Sequence, residues 1–125
     1  MKFKYSLNEL KQIAEDYAVN VAAPFSILLT GALGSGKTAF AKFFIEKIMI
    51  DKNQKVTSPT FNIVQIYETT KGAVWHADLY RLEKEAEIFE LGLIEAANNS
   101  ICIIEWPRLI KRYIANCNFI EFSLD

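Results

Sequence analysis

The sequence predicts an α/β protein: a three-layer phosphate-loop, nucleotide-binding fold with a mostly parallel sheet and an inserted antiparallel hairpin. Three observations carry that expectation. Gly31-Ala-Leu-Gly-Ser-Gly-Lys-Thr38 fits G-x-x-x-x-G-K-[ST], the spacing of a loop that wraps phosphate. Two short runs, Phe25–Thr30 and Ile101–Ile104, are apolar and β-favouring, as strands buried in a parallel sheet are. Ala39 to Met49 then places Phe40, Phe43, Phe44 and Ile48 at helical spacing, so the loop lies between a strand and a helix.

The elements follow in order. Phe3–Tyr5 reads as a short edge strand. Ser6-Leu-Asn-Glu9 has the form of a capping box, and Leu7, Leu10, Ile13, Ala14 and Tyr17 line one face of the next helix, a packing face. Pro24 ends the connection into the first buried strand. After the Ala39–Met49 helix comes a polar loop, Asp51–Lys55. In Val56-Thr-Ser-Pro-Thr-Phe61, Pro59 bars a helix and the hydroxyls suit a turn. Phe61–Glu68 alternates as a strand, Thr69–Gly72 is a turn of hairpin length, and Ala73–Asp78 returns. Glu83–Leu91 is helical in composition, with Gly92 placed to cap it. Ile101–Ile104 is the second buried strand, Leu109–Ile114 a short helix, and Phe119–Leu124 a last strand. With 125 residues and no repeat or linker, the chain reads as one domain, 1–125.

Composition excludes several classes. Fourteen basic against fifteen acidic residues leave a net charge of −1 and no basic stripe, which argues against strong direct nucleic-acid binding; action on RNA would pass through a partner. Cys102 and Cys117 lack Cys-x-x-Cys spacing and read as buried free thiols, suited to a reducing cytoplasm. No charged-then-apolar start and no apolar run of about twenty residues is present, so neither a signal peptide nor a membrane span is expected.

The chemistry gathers on the loop and on two strand ends. Gly31, Gly34 and Gly36 let the backbone turn its N–H groups toward phosphate, with Leu33 and Ser35 between them. Lys37 has the reach for β- and γ-phosphate oxygens, and the Thr38 hydroxyl for Mg²⁺. Glu105 closes Ile101–Ile104, the usual place for an acid facing the metal, and Asp78 closes Val74–Ala77; each reads as a group holding Mg²⁺ directly or through its water shell, with a solvated strand end as the alternative. Thr57-Ser-Pro-Thr60 has two readings, an ordinary turn or a hydroxyl-rich loop ordered by a γ-phosphate. His76, the only histidine, reads first as packing or hydrogen bonding, with metal binding and general-base work as minor alternatives. Trp106 is either core or a nucleotide contact, and one of Arg81, Arg108 and Arg112 is open as a γ-phosphate contact.

With these pieces in order, the chain resembles the TsaE (YjeE) family of bacterial P-loop ATPases, which act in the threonylcarbamoyl modification of the adenosine beside the anticodon of certain tRNAs. The resemblance runs through Leu33-Gly-Ser-Gly-Lys-Thr38, Thr57-Ser-Pro-Thr-Phe61, His76-Ala-Asp-Leu-Tyr-Arg81, Glu90-Leu-Gly92 and Ile104-Glu-Trp-Pro107, nearly the whole chain. It implies ATP and Mg²⁺ as cofactors, with Lys37 and Thr38 on phosphate and metal and Glu105 on the metal. It implies Thr60, or Thr57 near it, in a switch-like loop, Asp78 supporting the catalytic centre, and Trp106 beside it. It also implies a partner, a heterodimer of two sugar-kinase-like proteins of the TsaB–TsaD type, and tRNA only through that complex. Family members usually continue beyond the strand equivalent to Phe119–Asp125, where part of their nucleotide pocket lies; this sequence stops at Asp125, so base contacts are not carried over.

The competing expectations are a small-molecule kinase and a stand-alone regulatory NTPase. Kinases of that kind carry an arginine-rich lid, and this chain has three arginines and no insertion. A GTPase switch would carry Asn-Lys-x-Asp, which is absent.

Overall fold

The computed structural model describes residues 2–3, 6–32 and 34–122. Expectations for Lys4, Tyr5, Leu33 and residues 123–125 lie outside the described residues. The elements are β1 (Lys2–Phe3), α1 (Leu7–Asn20), β2 (Phe25–Gly31), α2 (Lys37–Ile48), β3 (Val64–Thr69), β4 (Gly72–Asp78), α3 (Glu85–Leu91), α4 (Leu93–Asn99), β5 (Ile101–Glu105) and β6 (Cys117–Phe122), with 3₁₀ turns at Pro107–Leu109 and Lys111–Tyr113.

The six strands form one sheet in the order β1-β6-β2-β5-β4-β3. All neighbours are parallel except β3, which runs antiparallel to β4 at the edge. The hairpin is thus built into the sheet: its second strand, β4, is a full parallel neighbour of β5. Helices α1 and α2 cover one face and α3 with α4 the other, the three layers expected of a sheet whose crossovers carry helices.

That sandwiching explains why Ile27–Leu29 of β2 and Ile101–Ile104 of β5 are apolar. Ile27, Leu29 and Ile103 point into the α1–α2 layer, while Leu28, Cys102 and Ile104 point into the α3–α4 layer. Each fully buried side chain of this kind contributes about 1.5–3 kcal/mol. Helix α1 starts at Ser6, whose Oγ accepts from the Glu9 amide at 3.2 Å and donates to the Glu9 carboxylate at 3.1 Å. It buries Leu10, Ala14 and Ala18, one residue per turn, against α2, which buries Phe40, Phe44, Ile45 and Ile48.

Several boundaries differ from the sequence expectation. The strand expected from Phe61 begins at Val64, because Ile63 takes a left-handed conformation (φ 67°) that breaks the extended run. Gly92, expected as a cap, also starts a second helix: at φ 76° it ends α3 and accepts from the Ala96 amide, so α4 follows at an angle without a loop. The helix expected over Leu109–Ile114 is two 3₁₀ turns. Of the two thiols expected to be buried, Cys102 is buried and Cys117 only half-buried. No described helix is long and apolar enough to cross a membrane.

Candidate nucleotide site

The carboxyl ends of β2, β4 and β5 meet at one edge of the sheet. There they bound a cleft of about 320 Å³ lined by the loop, Thr38, Thr60, Asp78, Glu105 and Trp106. The loop's shape is dictated by close approach. Gly31 has φ 138°, and a Cβ there would stand 2.7 Å from the Phe122 carbonyl oxygen and 2.9 Å from Ser35 Oγ. Gly36, at φ 110°, is the residue from which α2 starts. The first amides of α2 have no acceptor within the helix and so face the cleft with its positive dipole end.

Lys37 is only 4% exposed. Its Nζ donates to the Gly31 and Ala32 carbonyls and stands 3.9 Å from the centre of the Trp106 ring. Burial lowers its pKa from the usual lysine range, and the nearby Glu105 and Asp78 carboxylates pull it back up. The lysine is folded onto its own loop, bonded to carbonyls that ligand oxygens can replace.

Glu105 is 2% exposed and is held from two sides. Thr38 Oγ1 donates to it, 3.0 Å from Oε1 and 3.2 Å from Oε2, and His76 Nε2 lies 2.7 Å from Oε2. Asp78 stands opposite Glu105 in the β4–β5 register. Its Oδ1 accepts from the Tyr80 amide at 3.0 Å, and its Oδ2 from Thr60 Oγ1 at 3.5 Å, the outer limit of a hydrogen bond. Thr60 in turn is 2.6 Å from Ser58 Oγ.

Of the hydroxyl-rich loop, only Thr60 lines the cleft. Thr57 turns away, its hydroxyl donating to Gln65 Oε1 and its amide to Tyr67 Oη. Trp106 sits in the left-handed region (φ 57°, ψ 61°), pinned by its amide bond to the Leu29 carbonyl and by the Tyr80 ring, 4.9 Å between centroids. A non-glycine residue in that region costs roughly 1–3 kcal/mol and persists where its surroundings over-determine it. Beyond Trp106 lies a second, larger cleft of about 710 Å³, whose walls include Thr30, Tyr80, Leu109 and Phe119.

The structure therefore brings together Gly31, Gly34, Ser35, Gly36, Lys37, Thr38, Thr60, Asp78, Glu105 and Trp106. None of the arginines lines the cleft. Arg81 stacks 5.0 Å from Phe61, Arg108 borders the larger cleft, and Arg112 pairs with Glu85 at 2.5 Å. Sequence reasoning missed the buried contact between His76 and Glu105. Half of the signal was in the sequence, since His76, two residues before Asp78 on a strand, shares Asp78's face; the other half, that β4 lies beside β5, comes from the pairing alone.

Whether these residues suit Mg²⁺ and a polyphosphate is a matter of donor chemistry and room. A hydroxyl and a carboxylate are hard oxygen ligands, and Mg²⁺ takes one or two such protein groups and completes its shell with phosphate and water. A dedicated cage is unnecessary; among the described residues no group of three or more His, Cys, Asp or Glu is placed to hold a metal ion by itself. Inside the loop, Ser35 Oγ is buried with no hydrogen-bond partner among the described residues. The residues fit.

Sheet order, loop and helix define a protein of the phosphate-loop α/β class. Comparison with known proteins narrows the class. The profile of a family described as "Threonylcarbamoyl adenosine biosynthesis protein TsaE" matches residues 5–125, and the chain belongs to that family, whose role lies in tRNA threonylcarbamoyladenosine biosynthesis. The chain is 42% identical over 109 residues to the tRNA threonylcarbamoyladenosine biosynthesis protein TsaE of Rickettsia prowazekii, covering 87% of this chain and 75% of that one. It is 40% identical over 108 residues to the TsaE of Bacillus subtilis, covering 85% and 65%. The crystal structure of Bacillus subtilis YdiB superimposes with a TM-score of 0.62 at 27% identity, over 98% of this chain and 76% of that one.

Proposed function

We propose that this protein binds ATP with Mg²⁺ in the cleft at the sheet edge and hydrolyses it. In this reading the cycle serves the threonylcarbamoyl modification of tRNA by acting on a heterodimer of two sugar-kinase-like proteins, through which alone the protein meets tRNA. The observation that carries the reading is the hydrogen bond between the Thr38 hydroxyl and the Glu105 carboxylate, with Lys37 in the same cleft.

Each residue then has a task. Thr38 and Glu105 hold the metal, which when bound offsets negative charge on the phosphate oxygens. Lys37 exchanges the Gly31 and Ala32 carbonyls for those oxygens. The first-turn amides of α2 and the glycine-rich loop cradle the phosphate chain. Asp78 and Thr60, already bonded to each other, orient the attacking water. Trp106 closes the wall behind Lys37.

Among the described residues no arginine lines the cleft, which supports slow turnover alone and a contribution from the partner. An arginine supplied in trans is worth about 10³–10⁵ in rate. The test is phosphate release from ATP and from GTP, and ATP affinity, each with and without the heterodimer. Slow release from ATP alone, with faster release and tighter ATP in the complex, is expected, since coupling between two binding events is reciprocal. Rate and affinity both indifferent to the heterodimer would reject the partner reading in favour of a stand-alone NTPase.

A further inference from the structure

His76 carries no task in the reading above, yet it is buried and touches the carboxylate at the centre of the site. We propose that His76 is a positioning residue: its Nε2–H holds Oε2 of Glu105 so that the carboxylate keeps one orientation toward Thr38 and toward a metal. The inference rests on the metal-binding reading of Glu105 given above and extends it to a residue outside the cleft lining.

Three observations carry it. Glu105 Oε2 lies 2.7 Å from His76 Nε2, the length of a charge-assisted bond, with the His76 side chain 0% and the Glu105 side chain 3% exposed. The other ring nitrogen, Nδ1, is buried with no partner among the described residues. A hydrogen on Nδ1 would be a buried donor without an acceptor, so the ring's hydrogen belongs on Nε2, where the carboxylate takes it. Finally, His76 is a mid-strand residue of β4, paired with Gln65 of β3 on one side and Ile103 of β5 on the other. Strands on both sides fix its backbone, so its ring is a rigid anchor for a side chain that has three rotatable bonds of its own.

The arrangement is a sandwich. Thr38 approaches the carboxylate from the start of α2, and His76 from within the sheet. Freed of His76, the Glu105 carboxylate loses the bond that sets its rotation, and a metal that demands near-octahedral geometry loses a ligand held in place. Partners behind a metal ligand typically matter on the order of 10–100-fold in metal affinity.

The first arm of the test needs no nucleotide. Because His76 is the only histidine in the chain, long-range ¹⁵N–¹H correlation of the uniformly labelled protein reads its ring without assignment. The hydrogen is expected on Nε2, slow to exchange, and Glu105→Gln should move its resonance; an Nδ1–H ring, or one indifferent to Glu105→Gln, overturns the proposal. The second arm titrates ADP by calorimetry at a series of Mg²⁺ concentrations. His76→Phe, which removes the donor, should weaken Mg²⁺ by about 10–100-fold while leaving metal-free ADP affinity within about twofold, and His76→Gln, which keeps a donor near Nε2, should recover most of it. Equal loss with and without Mg²⁺, or no recovery by Gln, reduces His76 to a packing residue. If His76→Phe does not fold, the tautomer decides. A wild-type protein that binds no ADP sinks the nucleotide reading, and the first arm still decides whether His76 holds Glu105.

Discussion

Two carboxylates stand side by side at the ends of β4 and β5, in register and of nearly the same chemistry, and the structure treats them differently. Glu105 is almost wholly buried, with Thr38 of the phosphate-loop helix on one side and His76 of the sheet on the other. Asp78 is 9% exposed, and its partners are the backbone amide of Tyr80 and a long bond to Thr60 of a surface loop. One acid is bonded to a helix and to a central strand; the other is bonded to the segment after β4 and to a loop. A metal ligand needs the first condition, and a group that responds to a γ-phosphate or a partner needs the second. Position at a strand end does not separate the two acids; what each side chain is bonded to does, and the proposed tasks rest on that difference.

The largest effect should come from the residue that both acids share. Lys37→Ala removes the one cation lining the cleft among the described residues, and ATP binding and phosphate release are expected to vanish, with circular dichroism unchanged. Normal turnover in the folded variant would break the comparison outright, since neither carboxylate would then serve phosphate chemistry.

The pair Glu105→Gln and Asp78→Asn sharpens it. Both keep shape and lose charge. Glu105→Gln should cut turnover by about 100-fold or more, because metal stabilisation of developing charge is worth several kcal/mol. It should also shift the Mg²⁺ titration to higher concentration. Asp78→Asn should lower turnover with the Mg²⁺ midpoint unmoved. Superimposable Mg²⁺ titrations for Glu105→Gln and wild type would make the two strand ends equivalent.

Thr60→Ala probes the loose side alone. Loss of one ordinary hydrogen bond corresponds to about 2- to 10-fold, expected here in turnover, with Mg²⁺ affinity as in wild type. A change in Mg²⁺ affinity would mean that the loop reaches the metal, contrary to the division drawn above.

Much of this was legible in the residues. The loop carries its own spacing, and the apolar runs before it and before Glu105 name two central strands because such strands are buried on both faces. What could not be read was set by distant pairing. Thr57 and Thr60 are alike in sequence, and the bond of one to Gln65 and of the other to Asp78 separates them. Nothing in Ile63 announces a left-handed backbone; a β-branched residue disfavours it, and the tie of its carbonyl to the Asp78 amide at 2.8 Å accompanies it. His76 acquires its partner only once β4 and β5 are laid side by side.

The sheet order carries a consequence for how the molecule assembles. Strand β2, which delivers the phosphate loop, pairs with β5 on one side and β6 on the other, both from the last quarter of the sequence. Its hydrogen bonds therefore close over some seventy residues or more, and parallel pairings of such long separation are slow to nucleate because loop entropy is lost before contacts compensate for it. The α1–α2 layer and the β3–β4 hairpin consist of contacts nearer in sequence and can form first. The strand that carries Gly31 therefore gains both of its sheet neighbours only when the residues from Ile101 to Phe122 pair with it.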